Sequence, residues 1–313
     1  MTTMKPKNDE LDVIYQESRQ RVTGPFARAY TAPWWLVIMV GLWLWVVYQM
    51  ANDAAYADAF NQIKDGIPLT IWLAVASYVL ALIIGLLTGI MRSYPPEPPE
   101  TKLPPLKQAQ RVFYVLFYNV VSVYIEFMRG IPPLVFLLIA GFIVVPAIRG
   151  PIEQAINSTL IPLLRIIDPE ITDVVWRGRD PATAIAGLSL IYGAFLSEIF
   201  RAGIQAIPKG QVEAAKSLGM TNLQTMRLVV IPQAIRNVLP PLGNDFIAMI
   251  KDTSLVTILG TSEITQISRR WSGSQFTYLE TYAVLSMIYL TMTVTGSLLV
   301  QFMERYLRRF ARR

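Results

Sequence analysis

The feature that most constrains this chain is a set of long runs without a charged side chain, at 29–52, 66–91, 130–148, 181–197 and 281–303. About 20 helical residues cross the ~30 Å of bilayer hydrocarbon. Within lipid every backbone N–H and C=O must be bonded internally, so runs of this length fold as spanning helices. The run at 181–197 is expected to continue to about residue 206. A further segment, 237–260, is apolar but carries Asp245, Lys251 and Asp252, and reads as a packed or broken span that avoids lipid. Residues 112–129 are apolar too but hold Glu126 and Arg129. The expected fold class is all-α: a polytopic membrane protein of about six transmembrane helices.

Composition agrees. Of 313 residues, 53% are hydrophobic and 16% charged, more apolar surface than a soluble domain of this length can bury. The chain has no Cys and no His, which excludes disulfides, thiolate or imidazole metal sites, cysteine nucleophiles and imidazole proton relays. A net charge of +6 does not imply nucleic acid, because basic loops are what membrane orientation requires. The polar start of the chain does not resemble a cleavable signal peptide.

Six spans put both termini on one side. Segments 1–28, 92–111, 201–236 and 304–313 hold 19 of the 28 Lys and Arg, and the loops 51–65, 149–180 and 261–280 hold 7. The positive-inside bias assigns both termini and the 201–236 segment to the cytoplasm. Residues 94–105, YPPEPPETKLPP, contain six prolines and read as a stiff, extended linker. The loop 149–180, punctuated by Pro151, Pro162 and Pro169, reads as an external spacer with a short helix around 152–164.

The most specific words lie in a polar hairpin at 207–232. Pro208 suits a first helical turn, 211–218 is a run of helix formers, and Gly219 stands where a left-handed cap is expected. Thr221 with Gln224 forms a capping-box pattern that opens a second helix to about Val230, which Pro232 is expected to stop. Ala214 and Ala215 offer a smooth face to a partner, with charges at Glu213, Lys216 and Arg227. Such caps occur in any helical hairpin, so their spacing alone is not diagnostic.

EAA at 213–215, three residues, Gly219, nine residues, then Val229 and Ile231–Pro232 resembles the EAA signature of type I ABC importer permease subunits. IPKG before it and LGM, PQAIR and LPPLGN after it are similar to the polar amino-acid branch, the histidine, glutamine, arginine and glutamate permeases. YIEFMRGIPPLVFLL at 124–138, IYGAFLSEIFRAG at 191–203, KDTSLV at 251–256 and MERYLRR at 303–309 extend the resemblance over about 67–309. The chain departs from that pattern in its extra first span, proline-rich linker and long external loop, and in Val229 and Ile231 where Ile and Leu are commoner.

The resemblance implies a transport subunit that is not an enzyme, multi-pass in a bacterial inner membrane. Its layout is a polar tail (1–28), an extra N-terminal span with an external loop (29–65), a five-helix permease domain (66–309) with the coupling hairpin at 207–232, and a basic end (310–313). Two permease subunits, alike or different, form the pathway. Two ATPase subunits receive the hairpins and carry ATP and Mg, and an external binding protein delivers substrate. On this chain Glu213, Ala214, Ala215, Lys216 and Gly219 are the residues that would meet the ATPase. No GxxxxGK[ST] sequence occurs, so phosphate chemistry falls to that partner, and no cofactor is expected on this chain.

Ionisable residues inside spans are costly and mark pathways. Asp245 and Asp252, seven apart, share a helical face with Lys251 adjacent, and an amino acid brings an ammonium and a carboxylate. Asn244, Asp245, Lys251, Asp252, Thr253 and Ser254, facing Tyr192, Ser197 and Glu198, are the candidate lining. The alternative is an ion pair that holds helices together. Glu126/Arg129 and Glu198/Arg201, each three apart, are expected to neutralise each other locally. Competing functions are an ABC permease for another small polar solute and an ion-coupled secondary transporter. The latter leaves the hairpin unexplained.

Overall fold

The computed structural model describes residues 34–96, 98, 104–174 and 180–310. The tail 1–28, the middle of the proline-rich linker and residues 311–313 lie outside them. Every regular element among the described residues is helical: this is an all-α, multi-pass membrane protein. The chain divides into two units, 1–52 and 53–313. In the first, α1 (Trp34–Asn52) has no charged residue and exposes Trp34, Leu36, Ile38, Leu42 and Leu44. A helix apolar all round belongs in lipid.

The second unit opens with a helix where a loop is expected, α2 (Ala54–Ile63), capped by the Asp53 side chain accepting from the Ala55 N–H at 2.8 Å. There follow α3 (Ile67–Ser93), α4 (Pro105–Gly130), α5 (Pro133–Ile139), α6 (Val145–Ala155), α7 (Ile161–Leu164) and α8 (Pro181–Gln205). After the hairpin helices α9 (Lys209–Ser217) and α10 (Asn222–Thr225) come α11 (Ile231–Asp252), α12 (Ile264–Gln275) and α13 (Tyr278–Phe310). Five stretches are long and apolar enough to cross a membrane: Ala54–Ser93, Pro105–Gly130, Pro133–Leu164, Pro181–Gln205 and Tyr278–Arg305, with Leu36–Asn52 a shorter apolar helix. Membership of this set differs from the sequence expectation. Pro105–Gly130 qualifies by length and composition, its charges lying near its ends. Tyr114 and Glu126, however, both bond residues at the end of α3, Tyr94 and Arg92, so α4 lies across that end and adds no crossing. The more polar 237–260 segment does not qualify.

Pro232, expected to stop a helix, does not, and Pro146 and Pro162 likewise sit inside continuous helical runs. Pro146, Pro162 and Pro232 each stand one residue beyond a wide turn, at Ala140–Val144, Ile156–Leu160 and Met226–Val230. In each turn an N–H bonds the carbonyl five residues back: Val145 to Ala140, Ile161 to Ile156 and Ile231 to Met226. Proline lacks an N–H and crowds the carbonyl four residues back, and the wider turn accommodates both defects without ending the helix. The stretch from Pro133 to Leu164 is therefore one continuous helical run, not a span ending at 148, and Pro232 does not stop the second hairpin helix.

Close approach of α3 and α8 organises the core. A Cβ on Gly85 would lie 2.7 Å from Leu196 Cβ, and one on Gly89 2.6 Å from the Ser197 carbonyl oxygen. Glycines four apart put two backbones in direct contact, the usual way helices gain dispersion energy where lipid removes the hydrophobic drive. Around the crossing Leu73, Ile125, Leu137, Leu188, Ile191, Leu196, Met249 and Val256 are buried.

Candidate functional site

The hairpin is built as its residues require. Gly219 has φ +76, and the chain closes as a Schellman cap: Met220 N–H bonds Ala215 O at 3.2 Å and Gly219 N–H bonds Lys216 O at 2.9 Å. Thr221 and Gln224 make both halves of the capping box, at 3.3 and 2.8 Å. Ala215 is buried, so it does not share an outer face with the exposed Ala214. Ile207, Val230 and Ala234, with Val212 and Met226 against them, form a small apolar core. Glu213, Ala214, Lys216 and Gly219 are exposed, as is Arg227. The tip also exposes Leu218 at 83% and Leu223 at 77%, with Leu228 on the same segment. The sequence reading passed over these leucines, although an apolar residue on either side of a cap glycine in a polar segment was the available signal.

Arg92, Glu126, Arg129, Glu198 and Arg201 meet where α3, α4 and α8 reach the hairpin side. Glu198 lies 2.9 Å from Arg92, 2.5 Å from Arg201 and 3.9 Å from Arg129, while Glu126 pairs with Arg92 at 3.1 Å. The local Glu198/Arg201 pair forms. The expected Glu126/Arg129 pair does not, because Arg92 reaches across from α3. Glu198, mostly buried, thus ties three helix ends together instead of facing Asp245.

Deeper in the unit, the buried Tyr192 donates from its hydroxyl to Asp252 Oδ2 at 2.8 Å, which brings together two predicted pathway residues 60 apart in sequence. Tyr78 donates to the Leu242 carbonyl at 2.5 Å and packs edge-on to Phe246 at 5.1 Å. Asp245 and Ser254 are half-buried and Asn244 and Lys251 exposed. The hydroxyls of Ser197 and Thr253 turn back to their own helices, at Ala194 O and Ile250 O. Among the described residues no ion pair involves Asp245, Lys251 or Asp252, so the ion-pair alternative for these three has no support. A cavity of about 250 Å³ between α3, α11 and α13 is lined by Tyr78, Leu82, Leu239, Leu242, Phe246 and Val300 among others. Its apolar walls include none of the predicted pathway residues.

At the opposite end Glu263 is fully buried and caps α12, accepting from Thr265 N–H and Gln266 N–H, both at 2.8 Å, and from the Tyr289 hydroxyl at 3.3 Å. Burial pushes its carboxyl above the ordinary carboxylate range, against the opposing pull of those hydrogen bonds. The adjacent Ile264 N–H donates to Thr70 Oγ1 at 3.2 Å, which docks α12 on α3. No group of three or more His, Cys, Asp or Glu arranged for a metal occurs among the described residues.

These features have counterparts in known proteins. The probable amino-acid permease protein YxeN of Bacillus subtilis is 31% identical over 250 residues, covering 79% of this chain and 92% of YxeN. The glutamine transport system permease protein GlnP of Escherichia coli is 29% identical over 256 residues, covering 82% and 97%. A chain from the crystal structure of an amino acid ABC transporter superposes with a TM-score of 0.56 at 31% identity, covering 80% of this chain and 95% of that one. The MetNI methionine ABC transporter shares the fold, with a TM-score of 0.54 at 17% identity over 79% of this chain and 96% of that one. The family model described as binding-protein-dependent transport system inner membrane component matches residues 109–313, and the chain belongs to that family.

Proposed function

We propose that this chain is the permease subunit of an ABC importer for polar amino acids, seated in a bacterial inner membrane with both termini and the hairpin in the cytoplasm. The observation that carries the coupling role is the tip itself. Leu218 and Leu223 stand exposed on either side of a glycine cap, on a hairpin side where basic residues concentrate. Two exposed leucines held rigidly in water are a docking patch, because their burial by a partner gains about 1.5–3 kcal/mol each. On this reading Glu213, Ala214, Lys216 and Gly219 contact an ATPase subunit that carries ATP and Mg, and Ala215 supports them from beneath.

The permease domain, residues 66–309, supplies one wall of the pathway, with Tyr192, Asp245, Lys251, Asp252 and Ser254 as its polar lining. The exposed Asn244 and Lys251 are available to a second permease subunit across the pathway. The amino-acid class is supported by the likeness to the amino-acid permease YxeN and the glutamine permease GlnP and by acidic and basic groups on one helix, suited to a zwitterion. An external binding protein supplies substrate, as the family description states for its members.

Because the chain lacks cysteine, a single introduced thiol reports position. Leu218→Cys is expected to cross-link to a cysteine in the ATPase surface cleft, with ATP changing the yield. Uptake of labelled glutamine, arginine or glutamate into ATP-loaded vesicles with ion gradients collapsed is expected to persist. Uptake that stops with the gradients would assign the chain to secondary transport.

A further inference from the structure

A second site stands apart from the pathway, beside the end of α3. There a cavity of about 630 Å³ is lined by Ser93, Tyr94, Pro95, Gln110, Arg111 and Tyr114, with Pro96 at its edge. Two of these polar groups are already committed. The Ser93 hydroxyl donates to Gly89 O at 2.8 Å, and the Tyr114 hydroxyl donates to Tyr94 O at 2.5 Å. That second bond fixes α4 against the end of α3 and so sets the cavity's width. Among the described residues the Arg111 guanidinium, the Gln110 amide and the Tyr94 hydroxyl have no partner. Arg111 is nonetheless half-buried.

An arginine that lines a pocket without a counter-ion has all its guanidinium donors available to an anion. Glu126 is the first carboxylate on α4, since residues 105–125 contain none, and Lys107 lies one turn before Arg111 on the same face. Tyr114 and Tyr118 continue that stripe, their rings 6.5 Å apart. The neighbouring face of α4 exposes Val112, Phe113, Leu116 and Phe117, a surface suited to acyl chains. Basic and aromatic groups thus line a pocket whose rim continues into an apolar helix face. A guanidinium matches phosphate oxygens in fork geometry, and the amide and phenol add two neutral donors. Glu97 and Glu100 of the linker lie outside the described residues.

We propose that this cavity binds a phosphate group through Arg111, Gln110 and Tyr94, and that the phosphate belongs to an anionic phospholipid headgroup whose chains lie along Phe113 and Phe117. The site is separate from the substrate pathway and independent of which solute is carried. Such a lipid would hold α4 to α3 in front of the Arg92–Glu198 cluster.

The test is native mass spectrometry of the full-length chain, in its complex, presented with phosphatidylglycerol, phosphatidylcholine or inorganic phosphate. Wild type is expected to retain phosphatidylglycerol in preference to phosphatidylcholine, with inorganic phosphate not displacing it. Arg111→Gln is expected to weaken phosphatidylglycerol retention about fivefold, the value of one basic side chain at an anionic headgroup, without changing phosphatidylcholine retention. Arg111→Lys is expected to recover most of the loss, and Arg165→Gln, on the far loop, to show none. Gln110→Ala with Tyr94→Phe lowers retention while leaving the charge in place, so the claim survives if Arg111→Gln fails to fold. Inorganic phosphate that displaces the lipid at millimolar concentration keeps the anion site but assigns it to a soluble anion. Equal phosphatidylglycerol retention in wild type, Arg111→Gln and the double variant would overturn the proposal.

Discussion

The hydroxyl of Tyr192 donates to Asp252 Oδ2 at 2.8 Å, joining the middle of α8 to the last turn of α11. Tyr192 is 5% exposed, so the bond lies where water does not compete. Tyr192→Phe leaves a half-buried carboxylate without this donor, at a cost of about 1–3 kcal/mol. Asp252→Asn retains an acceptor for the phenol. Thermal unfolding in detergent is expected to place Tyr192→Phe well below wild type and Asp252→Asn between them. A melting temperature for Tyr192→Phe equal to wild type would mean that the bond contributes nothing.

Asp245 has no ion-pair partner among the described residues, and the proposed pathway uses it to meet a passing ammonium. Asp245→Asn is expected to cut uptake at least tenfold while the ATPase still co-purifies with the chain. Loss of assembly in step with loss of uptake would make Asp245 structural.

At Gly219 a Cβ would meet nothing within 4 Å, so a substitution there is felt through the backbone alone. The left-handed conformation costs a β-branched residue about 1–2 kcal/mol, and Asn much less. Gly219→Val is expected to leave membrane insertion intact but to uncouple ATP hydrolysis from uptake, with Gly219→Asn close to wild type. Reconstituted vesicles report both rates, and normal coupling in Gly219→Val counts against docking at this cap.

Gly89 is constrained by space instead, because the obstacle to a side chain is the Ser197 backbone and not a movable side-chain end. Gly89→Leu is expected to destabilise the α3–α8 crossing by about 3 kcal/mol or more and to yield aggregated or degraded protein. A monodisperse product with unchanged melting temperature would show that the crossing yields.

Glu263 predicts a pH dependence. An unfolded glutamate titrates near ~4.3, and burial raises the folded value above that. Between the two values the folded state holds more protons, so stability is full at the acid side and falls as pH rises through the window. Relative to Glu263→Gln, wild type is expected to lose melting temperature from acid toward neutral pH. In Glu263→Gln this slope disappears, with lower absolute stability because an amide NH₂ then faces one of the cap N–H groups.

The long apolar runs, the Gly219 cap and the Thr221–Gln224 box were legible because each depends on local chemistry: hydropathy over 20 residues, a conformation only glycine adopts easily, a four-residue hydrogen-bond pattern. The end of the third run and the standing of 237–260 were not, since both depend on packing. Pro232 was misread because a proline's effect depends on whether the turn before it widens, and Met226–Val230 carries no obvious signal of that. Ala215 was read as outward because a nine-residue helix has only two and a half turns, too few for periodicity to fix a face. Arg92 was invisible as a partner for Glu126 because pairs 34 residues apart are set by packing, whereas the i,i+3 spacing of Glu126 and Arg129 drew the eye. The Tyr192–Asp252 bond was approached only by pattern, since both residues were singled out as lining and neither as the other's partner.

The wide turn at Met226–Val230 leaves the chain helical without a break from the tip at Asn222 to Asp252, a rod of about 46 Å. A push received at Leu223 would travel along one helical path to the carboxylate held by Tyr192, and the wide turn and the interior Pro240–Pro241 pair are the points at which that path bends. Motor stroke and gate position would then be two readings of a single helical part, with any slack between them arising at that proline pair or in the glycine cap.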